Sequence, residues 1–130
     1  MRYSLALYCS DLTDSTSDYR PVGVLVVNEN SQKYSFKHLS PLYGLDFMTT
    51  IIWKNVPAIL EQRFNEYQKE PNHDFYRERL DEYYGFISQL IDEWSQSNIC
   101  FSNSMSIEEN GSVELISEKL FKQKVLRRLD

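Results

Sequence analysis

The chain has 130 residues, of which 42% are hydrophobic and 14% aromatic, and it carries a formal net charge of −5. That length fits one domain over 1–130, the apolar content argues against disorder, and the acidic balance works against a general nucleic-acid surface. Four glycines and four prolines are too few for an all-β sandwich with many tight turns, and two cysteines make no disulfide framework.

Tyr3 to Cys9 holds strand formers in rough alternation and predicts a first strand. Its apolar stretch is short and lacks a small-residue cleavage site, so it reads as a strand and not as a signal peptide. No apolar run nears the ~18–20 residues of a membrane span, and the expected compartment is cytoplasmic. Residues 10–21 are polar and turn-prone, closed by Pro21. Residues 22–28 (VGVLVVN) are a β-branched run and predict a buried, central strand. A turn over 28–32 leads to a third strand, 33–39, with Tyr34 and Phe36 on one face and Lys33, Ser35 and Lys37 on a wet one. The short turn makes these two strands a hairpin.

After residues 40–44 the period changes. Asp46 can cap a predicted helix that holds Phe47, Ile51 and Ile52. Pro57 cannot sit deep inside a helix, so either Asn55 caps a second helix or the first one kinks. Ile59, Leu60, Phe64 and Tyr67 continue at helical spacing. A break at 70–74 precedes the clearest helix, Phe75 to Ser95, with Leu80, Tyr83, Tyr84, Ile87, Leu90, Ile91 and Trp94 on one face. Gly85 falls within it at a cost of roughly 1 kcal/mol. Residues 99–107 predict a fourth strand. Asn110 and Gly111 turn the chain, and Ser112 caps a last helix with Leu115, Ile116 and Leu120 inward and Leu126 as a further candidate. The fold class is therefore α+β: a small antiparallel or mixed sheet of about four strands with three or four helices packed on one side.

Sites of chemistry are sparse. His38 ends a strand and His73 lies in a loop. A Cys–His dyad needs Cys9 or Cys100 beside His38, and Cys9 could meet it if their strands are neighbours. Asp11, Asp14 and Asp18 could gather around a divalent cation, but their spacing lacks a calcium-loop pattern, so no metal site is assigned. The glycines stand singly at 23, 44, 85 and 111, so no glycine-rich loop cradles a phosphate and no cofactor is expected. Residues 119–130 carry a local charge of +4, which leaves −9 on the rest. Lys122, Lys124, Arg127 and Arg128 are weak candidates for phosphate contact, although cations at a helix C-terminus need no ligand. Nine Tyr, seven Phe and two Trp on an acidic body suit a protein-binding face.

Tyr3 to Tyr8, followed by Pro21, Val22, Gly23, Val24, Leu25 and Val26, resembles the start of a family of small bacterial domains of unassigned function. The helix 113–126 (VELISEKLFKQKVL) is similar to that family's end. Pro21 stands where the family usually has Asn, and residues 40–98 carry no signature of it. Genes of the family often lie beside HipA-like kinases of toxin–antitoxin type, so the resemblance implies a small partner protein. It assigns no functional residue.

Two functions remain open. The first is a non-enzymatic, antitoxin- or immunity-like subunit that binds a toxin, kinase or nuclease through an acidic, aromatic-rich face. Asp11, Asp14, Asp18, Tyr19 and Glu29 lie on its loop side, and Glu78, Asp81 and Glu82 on the long helix. The second is a metal-dependent hydrolase or nuclease using the Asp-rich loop 11–18. Membrane partners are not expected, and nucleic acid is disfavoured except at the basic C-terminus.

Overall fold

Residues 21–27 have no polar face to offer water, and the chain answers by covering them on both sides. In the computed structural model, which describes residues 1–9, 19–40, 42, 44–69, 85–95 and 97–129, this segment lies in β2 (Arg20–Asn28), with every residue from Pro21 to Val27 buried. It pairs antiparallel with β1 (Arg2–Tyr8) on one side and with β3 (Lys33–His38) on the other. Two short strands, β4 (Ile99–Phe101) and β5 (Met105–Ser106), lie end to end along the far side of β1, also antiparallel. The α+β class and the antiparallel sheet are as expected, and so is the β2–β3 hairpin.

The expected single fourth strand is broken, and the break is satisfied. Ser102 donates its N–H to the Leu5 carbonyl at 2.9 Å, and its hydroxyl accepts the Leu5 N–H at 2.8 Å. The buried Ser4 hydroxyl donates to the Ser102 carbonyl at 2.6 Å. Side chains thus replace ladder bonds where β4 gives way to β5, and no backbone donor of β1 is stranded there. A bulge lies in β2, since Ala6 faces Gly23 while Leu7 faces Pro21. Gly23 is required where it stands: a Cβ would meet the Lys37 carbonyl oxygen and a Phe36 ring carbon, both at 3.1 Å, so only glycine lets β3 approach this closely.

Three helices are described. α1 (Phe47–Lys69) runs unbroken through Pro57, so the alternative of a second helix capped by Asn55 does not hold; Asn55 instead donates its side-chain amide to the Ile51 carbonyl at 2.9 Å. Pro57 has no N–H to give Trp53, and the packing of the residues around it outweighs that loss. α2 (Phe86–Glu93) begins at Gly85, whose backbone is extended, so the helix expected over 75–95 does not pass through this glycine. Leu80, Tyr83 and Tyr84 lie outside the described residues. α3 (Val113–Lys124) starts as expected at Ser112, whose hydroxyl accepts the Leu115 N–H at 3.1 Å.

The helices occupy both faces of the sheet, not one. Ala6, Tyr8, Leu25 and Val27 point to α1 and α2, where Trp53, Leu60, Phe64, Tyr67, Phe86, Ile87 and Leu90 close the main core. Val24 and Val26 point the other way, to Val113, Ile116 and Val125 from α3 and the residue after it. Period-two alternation along a strand with no polar positions makes both faces sticky, and each needs its own cover. The expected wet face of β3 is half-covered for the same reason: Ser35 meets Ser117 of α3 hydroxyl to hydroxyl at 2.8 Å.

Candidate functional site

The largest mismatch between pattern and packing is at the start of α1. Its buried stripe is Thr49, Trp53, Val56, Leu60, Phe64 and Tyr67, a three-four repeat that leaves out Phe47 and Ile51. Phe47 and Ile51 are 78% and 41% exposed, and Met48 beside them is 65% exposed. Ile52 is half-buried against the core. The outward stripe becomes polar within one turn, at Lys54 and Asn55. Three large apolar side chains therefore share the first turn of a helix and face solvent.

That turn is held firmly. Asp46 precedes it, and its carboxylate accepts the Thr49 N–H at 2.7 Å and the Thr49 hydroxyl at 3.0 Å. The Thr49 backbone bond, then its hydroxyl, holds the Asp46 carboxyl below the usual carboxylate range. Further along, the Trp53 indole N–H donates to the Leu39 carbonyl at the end of β3, at 2.9 Å. Trp53 also packs edge-on against Phe36 and His38, with centroids 6.2 and 5.6 Å away. Phe47, Met48 and Ile51 thus project from a pinned helix end, which limits the entropy a binding partner would have to remove.

The expected site residues are dispersed. Asp11, Asp14, Asp18, Glu78, Asp81, Glu82 and His73 lie outside the described residues. Tyr19 is 46% exposed. Glu29 has an internal role that the sequence did not reveal: its carboxylate accepts the Tyr67 hydroxyl at 3.2 Å and the Phe86 N–H at 3.0 Å. It thereby caps α2 from the β2–β3 turn and ties it to α1. Burial, and then the Glu29 charge, pushes the Tyr67 hydroxyl well above its ordinary value. Burial, followed by the Glu61 charge, also raises Tyr34.

A Cys9–His38 dyad is ruled out by topology. β2 lies between their strands, and the two side chains fall on opposite faces. His38 stacks on Phe36 at 5.0 Å, with Nδ1 3.3 Å from the Leu39 carbonyl. Among the described residues, no group of three or more His, Cys, Asp or Glu is placed to hold a metal ion, and no helix is long and apolar enough to cross a membrane.

At the basic end, Lys119 pairs with Glu109 at 2.7 Å and Lys122 with Glu118 at 3.5 Å. Lys124 and Arg127 are exposed, while the Arg128 side chain lies outside the described residues. Leu115, expected inward, is 66% exposed, and Leu126 is exposed too; Val113, Ile116 and Ser117 form the buried side of α3 instead. Comparisons with family models, curated proteins and solved structures give no match to this chain.

Proposed function

We propose that the chain is a small protein-binding subunit, antitoxin- or immunity-like and without catalysis of its own, that engages its partner with the first turn of α1. The observation carrying this reading is the exposure of Phe47 and Met48, with Ile51 one turn on. Large aromatic and Met side chains are enriched where proteins meet, and single exposed leucines are not comparable to three adjacent residues of this size. Placed at i, i+1 and i+4, they form the kind of anchor that an amphipathic helix lays into an apolar groove. The acidic body and exposed Tyr19 would steer and surround such a contact and supply little of its energy.

The test compares the full-length tagged chain with Phe47→Asp and Met48→Asp on extracts of the source cells. A stoichiometric protein retained by the parent, and reduced at least tenfold by either variant with unchanged melting temperature, supports the reading. Equal retention by all three chains, or none by the parent, rejects it. Light scattering over a dilution series distinguishes a foreign partner from a second copy of this chain.

A further inference from the structure

Ala6, Tyr8, Ile99 and Phe101 all enter the main core. The alternate positions Leu7, Cys9 and Cys100 therefore turn to the opposite face of the sheet. Cys100 lies opposite Leu7, and the Cys9 N–H donates to the Asn98 carbonyl at 2.9 Å, which extends the ladder one residue past β1. Asn98 returns a side-chain bond to the Cys9 carbonyl at 2.7 Å. The two cysteines, both in the thiol state, are thus diagonal neighbours on one face across the β1–β4 pair.

We propose that Cys9 and Cys100 form a reversible disulfide under peroxide-type oxidants, which locks β4 onto β1. Cys9 is buried and Cys100 only partly so, which sets the order of events. The Cys100 thiolate attacks a peroxide oxygen, the O–O bond breaks, and water leaves with a proton, giving a sulfenic acid at Cys100. The Cys9 thiolate then attacks the Cys100 sulfur, the S–O bond breaks, and a second water leaves. Two thiols lose two hydrogens while the peroxide is reduced to water.

Burial, and then the nearness of Cys9, holds the Cys100 thiol above its ordinary value, so the first step is slow and needs an oxidant in excess. Diagonal Cα atoms in an antiparallel ladder stand ~7–8 Å apart, against ~4.4–6.8 Å in disulfides. β4 must close by about an ångström, which suits a three-residue strand that gives way at Ser102. Bridges closed under strain are the readily reduced ones, as reversibility requires.

The experiment treats the reduced full-length chain with hydrogen peroxide and measures intact mass, thiol count in denaturant, and peptides spanning each cysteine. The expected product is a monomer that has lost two hydrogens and both titratable thiols, with Cys9 and Cys100 peptides joined. Its melting temperature shifts upward, and dithiothreitol restores the starting state. Oxygen addition without hydrogen loss, a dimer as the only disulfide product, or closure in denaturant but never in the folded chain would each overturn the proposal. The mass measurement on the unaltered chain requires no variant to fold.

Discussion

Leu25 and Val26 are neighbours in β2, yet they enter different cores. Leu25 meets an aromatic layer in which Phe64 and Phe86 lie edge to face at 5.0 Å and Tyr34 packs on Phe64 at 4.8 Å. Val26 meets a small aliphatic layer under α3. The aromatic side also holds buried polar anchors, Trp53 to Leu39 and Glu29 to both Tyr67 and Phe86. Its counterpart holds a hydroxyl pair, Ser35 with Ser117. Directional bonds inside a dense aromatic layer fix where α1 and α2 sit, while the α3 side chiefly excludes water. The exposed apolar turn belongs to the helix that is fixed, and so it is presented in one orientation.

The contrast breaks most directly at its largest fully buried side chain. Phe86→Ala should cost about 3–5 kcal/mol, because a ring packed against Phe64 and Tyr67 leaves a cavity that cannot collapse. Val26→Ala should cost only about 2 kcal/mol, from fewer buried carbons and a smaller void. Urea unfolding of both variants measures this, and equal costs would mean the two layers are equivalent.

Glu29→Ala tests the polar anchors and should cost about 1–3 kcal/mol, since it removes the acceptor that the Phe86 N–H and the Tyr67 hydroxyl share. Hydrogen exchange should show the loss first at the start of α2. Uniform loss across the sheet would instead make Glu29 a general contributor and not a local cap.

The smallest contrast lies between the two helix caps. Asp46 titrates and Ser112 does not. A carboxyl whose folded value is lowered contributes stability above its unfolded value, and that contribution is lost as pH falls through the folded value. The melting-temperature gap between the parent and Asp46→Asn should therefore be full at neutral pH and close below the ordinary carboxylate range. The gap for Ser112→Ala, about 1 kcal/mol at the cap, should stay flat over the same range. A flat profile for Asp46→Asn would remove the charged cap as its cause.

Much of the scaffold is legible in order: a β-branched run with no polar face at 22–28, a turn of the right length before 33, and Asp46 and Ser112 each placed to accept an N–H three residues on. The candidate site is not legible in the same way. Residues 47–53 carry two apolar stripes at helical spacing, one through Phe47 and Ile51 and the other through Thr49 and Trp53. Spacing gives the period of a helix but not its rotation, and only the position of β3, where Leu39 accepts the Trp53 indole, selects the inward stripe. Leu115 and Ile116 pose the same ambiguity on α3, decided by Val24 and Val26 across the interface.

Sequence by itself determined the type and order of most elements among the described residues, because propensity, capping and periodicity act over a few neighbouring residues. Tertiary structure decided which helix faces turn inward, that both sides of the sheet are covered, that Glu29 serves the interior, and that Cys9 and Cys100 share a face while His38 does not. These depend on contacts between residues as far apart as 9 and 100, where the pairing register sets the geometry and no local pattern records it.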